Sequence, residues 1–132
     1  MKRVGLAVGL AVLAFGCHND EILCTGIGCG PSVVVELPPL RTEPGEEIAV
    51  RVCSERRCST TRQIGAGSSQ IWMEIRGKAM DLEITVRDSS GRLLARGEGS
   101  APVKVTRPNG PECPPVCRSA HVRLDGTRLV AV

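Results

Sequence analysis

An all-β fold is predicted by three features of this sequence. From residue 32 onward, short apolar runs recur at roughly ten-residue intervals and end on Pro, Gly, Asn or Asp. Within the runs the apolar residues alternate with polar ones, the period of two that a half-buried strand requires. After the first 16 residues, no stretch of ten or more shows the 3.6-residue period of an amphipathic helix.

The strands can be placed in order. Val33-Val34-Val35-Glu36-Leu37 is rich in β-branched residues and is stopped by Pro38-Pro39. Thr42-Glu43-Pro44-Gly45 reads as a turn. From Glu47 to Cys53, Ile48, Val50 and Val52 share one face. Ile71, Met73 and Ile75 alternate against Trp72, Glu74 and Arg76, which predicts a strand over 71–76. Leu82, Ile84 and Val86 against Glu83, Thr85 and Arg87 form the cleanest alternation. Asp88-Ser89-Ser90-Gly91 turns the chain into a hairpin partner at Arg92–Arg96. Val103 and Val105 repeat the pattern over Pro102–Thr106, and Pro108-Asn109-Gly110-Pro111 breaks it. Val122 and Leu124 lead into Asp125-Gly126, a strong hairpin signal, and Leu129–Val132 returns. Seven or eight short strands with regular turns predict a small antiparallel β-sandwich over 32–132, of immunoglobulin or fibronectin-III type. The tyrosine-corner Tyr and the widely spaced Cys-Trp-Cys pattern of that class are missing, which leaves the strand order open.

The chain begins differently. Met1-Lys2-Arg3 is basic, Val4 to Phe15 is an uncharged apolar run, and Gly16-Cys17 closes it. This is the form of an export signal over residues 1–16, and the run is too short to span a bilayer, which takes ~20 apolar residues. Leu13-Ala14-Phe15-Gly16-Cys17 resembles the lipobox of bacterial lipoproteins, with a small residue directly before the cysteine. The commonest form places Leu three residues before the cysteine; here Leu13 stands four before and Ala14 three before. The resemblance implies that Cys17 is acylated by a diacylglyceryl group and becomes the first mature residue, anchoring the chain to the membrane on its extracytoplasmic side. An ordinary secreted protein with Cys17 in a disulfide is the competing reading. The resemblance covers 17 residues only and says nothing of the domain that follows. Residues 17–31, rich in Gly and Cys, form the tether.

Removing the signal changes the composition. Lys2 and Arg3 leave with it, and the formal net charge of +3 falls to about +1. Phe15 also leaves, so Trp72 is the last aromatic in a chain without Tyr. Nucleic-acid grooves and sugar platforms both use stacked aromatics, so both partner classes are disfavoured. The 13 arginines against 2 lysines that remain reflect a GC-rich genome, and the chain resembles small lipoproteins of high-GC bacteria in character.

Seven cysteines lie in this chain. With Cys17 lipidated, Cys24, Cys29, Cys53, Cys58, Cys113 and Cys117 remain, an even number that reads as three disulfides in an exported protein. Cys53 and Cys58 flank Ser54–Arg57 and suit a bridge across a hairpin. The other four allow two local loops, 24–29 and 113–117, or two cross-links between the ends of the domain. Closing a loop of ~90 residues removes about 4–5 kcal/mol of unfolded-state entropy in the chain model, against about 2 kcal/mol for a very short loop. Cross-links are therefore favoured energetically, although sequence does not choose between them. Zinc is the alternative use of such pairs, whose spacings fall within or near those of structural sites.

Few residues suggest chemistry. His121 sits in a strand-like run, and no Ser-His-Asp or Cys-His set can be assembled without it; His18 lies beside the lipid site. The glycines at 26, 28 and 30 match no phosphate-binding fingerprint, and no helix follows them. Trp72 falls on the polar face of its strand, where it is either covered by neighbours or an exposed anchor for a partner. Arg56, Arg57 and Arg62 cluster around the Cys53–Cys58 loop, as a solvated hairpin tip or as a cationic patch for an envelope protein, an anionic wall polymer or lipid head groups. The sequence thus predicts a monomeric, lipid-anchored, non-catalytic binding or scaffold module without a cofactor. A zinc-binding cysteine domain is the first alternative and a secreted hydrolase using His121 the second.

Overall fold

In the computed structural model, residues 24, 26 and 28–132 are described; Cys17 and the signal segment lie outside them. Nine strands follow one another: β1 Ser32–Glu36, β2 Glu47–Ser54, β3 Arg57–Ile64, β4 Ser68–Trp72, β5 Ala79–Arg87, β6 Leu93–Pro102, β7 Lys104–Thr106, β8 Cys117–Asp125 and β9 Arg128–Ala131. The described residues contain no helix.

The strands hydrogen-bond along one path, β3-β2-β5-β6-β9-β8-β1-β4, with β7 on β8. Its two ends, β3 and β4, nearly close it. They meet through side chains: Ser59 Oγ donates to the Trp72 carbonyl at 2.9 Å, and Ser69 Oγ to Gln63 Oε1. The inward positions of β3 are Arg57, Ser59, Thr61 and Gln63, all polar, so this seam is hydrogen-bonded where the rest of the interior is apolar.

The expectation of purely antiparallel pairing is corrected at two places. β1 runs parallel to β8 over five residue pairs, and β6 meets β9 in parallel at a single pair, Glu98 with Arg128. The path therefore has two halves, β3-β2-β5-β6 and β9-β8-β1-β4, joined at one narrow point. Gly97 and Gly99 make that joint possible. A Cβ at 97 would lie 2.2 Å from Leu124 Cδ1 and 3.3 Å from the Thr127 carbonyl, and one at 99 would lie 3.1 Å from Leu129 Cβ.

Between the halves lies a core of small aliphatic side chains. Val33 and Val35 of β1, Ile48, Val50 and Val52 of β2, Ile84 and Val86 of β5, and Ala120 and Val122 of β8 are wholly buried. These are the alternate positions that the sequence pattern marks. Three other expectations shift. The strand expected over 71–76 ends at Trp72, where the Met73 N–H turns to the Pro31 carbonyl at 3.2 Å; Ile75 stays buried in the loop beyond. The strand expected at Arg92–Arg96 runs on to Pro102, because Gly97 and Gly99 carry no side chain to continue the alternation. Val105, expected on a core face, is exposed in the short β7.

At the β5–β6 turn, Asp88 is buried and organises the loop. Its Oδ1 accepts from Ser90 Oγ at 2.7 Å, Arg92 N at 2.9 Å and Ser90 N at 3.0 Å, and its Oδ2 accepts from Arg92 Nε at 3.0 Å. The Ser90 hydroxyl first, then the backbone N–H and guanidinium of Arg92, hold the Asp88 carboxyl below the usual carboxylate range. Its ionised form thus favours the fold at pH values above the ordinary value near 4, and that contribution fades as pH falls through and below it.

Two outcomes follow. Gly97→Ala should cost about 1–3 kcal/mol by overpacking the joint, read as a lower urea midpoint with the disulfides intact. Acid titration of thermal stability should fall less steeply below about pH 4 in Asp88→Asn than in the native chain, and parallel curves would refute the role given to this carboxylate.

Candidate functional site

All six described cysteines are in disulfides. Cys24–Cys113 and Cys29–Cys117 span 89 and 88 residues, with Cα separations of 5.5 and 5.8 Å. They tie the segment before β1 to the loop before β8 and to the first residue of β8, which is the cross-linked alternative. The third, Cys53–Cys58, joins directly opposed residues of β2 and β3 at a Cα separation of 4.0 Å. Because Ser54 and Arg57 also pair, only Glu55 and Arg56 form the loop, and not the four residues 54–57. Glu55 sits at φ 55°, in the left-handed region that favours glycine. With every described thiol oxidised, none is left as a zinc ligand, and no group of three or more His, Cys, Asp or Glu is placed for a metal among the described residues.

The hairpin tip and Trp72 lie at one end of the body. Trp72 closes β4 and pairs with Ser32 of β1, on the outward face the sequence gives it. Its indole is 58% exposed, and one side of the ring rests on Gly30 of the tether. A Cβ at Gly30 would stand 2.8 Å from Cζ3. Any side chain here would force the ring to move. Next to it, Glu74 takes an ion pair from Arg57 on β3 and another from Arg76. The hydrogen bond from Arg76 first, then the charge of Arg57, lower the Glu74 carboxyl below its usual range, and the same bond raises Arg76.

The structure thus brings Trp72, Arg57 and the tether together. Arg62 is elsewhere: it lies five residues along β3 and pairs with Glu47 of β2 at 3.0 Å. Arg56 is exposed at the loop, with no ion-pair partner among the described residues. With Glu55 and Glu74 beside Arg56, Arg57 and Arg76, the tip is an almost balanced charge network, and its most distinctive group is the half-covered indole. His121 lies on the outer face of β8, its Nε2 3.1 Å from Glu36 Oε1 across the parallel pair.

Two site features were not visible in the sequence. The sequence sets Glu74 and Arg76 only on the polar side of an expected strand, and the fold makes Glu74 the shared partner of Arg57 and Arg76. At the other end of β1, Pro38–Arg41 and Leu93–Arg96 line an open groove, although the sequence marks them only as a strand stop and a hairpin partner.

Trp72 is the single tryptophan in a chain without tyrosine, so its emission reports this contact alone. Gly30→Val should push the ring into water and shift the emission to the red while thermal stability stays nearly unchanged; an unshifted spectrum would show that the tether does not cover the ring.

Compared with protein-family models, curated proteins and solved structures, this chain matches none.

Proposed function

We propose that this chain is an exported lipoprotein, anchored to the membrane through Cys17, whose β-body acts as a non-catalytic binding or scaffold module outside the cytoplasm. The observation that carries the reading is the set of three disulfides, two of them closing nearly the whole domain. Such bonds form and persist in oxidising compartments. They agree with the export signal and the lipobox-like Leu13–Cys17 at the head of the sequence. A diacylglyceryl group supplies two chains, enough for stable attachment where one would be marginal. The two halves of the strand path, joined only at β6–β9, read as the two faces of an immunoglobulin-like sandwich, a frame suited to displaying loops and edges. The half-exposed Trp72 is the anchor residue this reading would give to a partner at the tethered end.

Cell fractionation tests it. The native chain is expected in the membrane fraction after high-salt washing, and Cys17→Ala in the soluble extracytoplasmic fraction with its three disulfides intact. Membrane retention of Cys17→Ala would remove the lipid anchor from this account.

A further inference from the structure

The β6 edge is paired unequally. On one side it meets β5 from Leu93 to Pro102. On the other, only Glu98 is engaged, through its pair with Arg128 and its N–H to the Thr127 carbonyl at 3.2 Å. Leu93-Leu94-Ala95-Arg96 have no backbone partner on that side among the described residues. Instead they form one wall of an open groove of about 730 Å³. Pro38-Pro39-Leu40 form the other wall, and Thr127 closes one end. A smaller groove of about 370 Å³ carries on past Gly97 and Glu98.

The edge carries one device of protected edges, a register shift opposite Val86 and Arg87 that leaves Leu94 as an extra residue between Leu93 and Ala95. Its side chains Leu93, Leu94 and Ala95 are nonetheless apolar, and Leu93 is 45% exposed. The prolines stand on the facing wall, and two consecutive residues without N–H groups leave that wall unable to complete the ladder. An added strand is what would satisfy the β6 amides and carbonyls.

The rim identifies the chemistry of that strand. Arg41 is exposed, with no ion-pair partner among the described residues. Arg92 and Arg96 each spend one donor on a carboxylate, Asp88 and Glu83, at 3.0 Å. A guanidinium carries five donors, so both have donors beyond these pairs, and both residues line the groove. Glu98 is the one acidic lining residue, at the far end.

Resting on the binding-module reading above, we infer that the β6 edge at Leu93–Arg96 is a docking groove for an extended, acidic peptide segment of a partner protein, which adds to the sheet as a strand. Main-chain hydrogen bonds to β6 supply the affinity, and alternate side chains supply the selection. In such a strand one set of side chains faces the apolar floor at Leu40 and Leu94, and the other faces the arginines.

The test uses the full chain in detergent and a fluorescent ten-residue peptide of alternating Val and Glu, read by anisotropy. Two comparison peptides replace every Glu by Lys or carry N-methyl groups on alternate amides. The Val-Glu peptide should bind, and both comparison peptides should fail at the same concentrations. Arg41→Glu should weaken binding about threefold or more with thermal stability unchanged. The outward amides of Leu93–Arg96, those not bonded to β5, should gain hydrogen-exchange protection when the peptide binds. Equal binding of the N-methylated peptide, or no Val-Glu binding up to about 1 mM, overturns the inference. So does protection of these outward amides in the free chain: if it weakens on dilution the occupant is a second copy, and if it does not the occupant is the chain's own segment. None of these failures bears on the membrane fractionation of Cys17→Ala, so the two proposals fail separately.

Discussion

Most of this architecture depends on how closely β9 approaches β6. Gly97 and Gly99 leave room for Leu124, Thr127 and Leu129, so the strand path can continue from β6 to β9 at the one pair Glu98–Arg128. A side chain at Gly97 would overlap Leu124 and one at Gly99 would crowd Leu129, so these neighbours would have to shift. Shortness has a second consequence. Because β9 begins only at Arg128, it covers the upper part of β6 and leaves Leu93–Arg96 without a neighbour. The joint and the groove therefore have the same cause.

A core of Val, Ile and Leu with almost no aromatic filler limits what burial alone can contribute. Each such side chain adds about 1.5–3 kcal/mol when fully buried, and ordering the chain opposes this at about 1–2 kcal/mol per residue. The two long disulfides act on the other side of that balance by restricting the unfolded chain, and loops of 88 and 89 residues are where this effect is large. Cys53–Cys58 closes a separation of five residues and contributes much less on this account. Its place is local: it holds a two-residue loop whose first residue, Glu55, occupies a backbone region that glycine would enter more readily.

Legibility from the sequence followed side-chain alternation. β2, β5 and the end of β8 were readable because Ile48, Val50, Val52, Leu82, Ile84, Val86, Val122 and Leu124 are both apolar and two apart. β3 was not, because its inward residues Arg57, Ser59, Thr61 and Gln63 face a polar seam; the Ser-Thr-Thr run at 59–61 was the available hint. Spacing paired Cys53 with Cys58 and grouped the other four, but the choice between local loops and cross-links needed three dimensions. Trp72 was assigned its outward face correctly, whereas its contact with Gly30 joins residues that no local pattern relates. The groove was invisible for a similar reason. It is built from a chain stop and a half-paired strand 50 residues apart, and neither has a motif.

The two openings of the strand path are handled by opposite means. Between β3 and β4, Ser59, Gln63 and Ser69 bridge the gap with side-chain hydrogen bonds. That gap is filled from within. Beside β6, the facing segment is Pro38-Pro39, which has no N–H to offer, so the strand's polar groups are left to water or to a visitor. Position adds to the contrast. The tether enters β1 at Ser32, beside Trp72, and the prolines follow its other end at Glu36. The partly covered indole and the balanced hairpin tip therefore lie at the end where the tether enters, and the open β6 edge lies at the other end of β1.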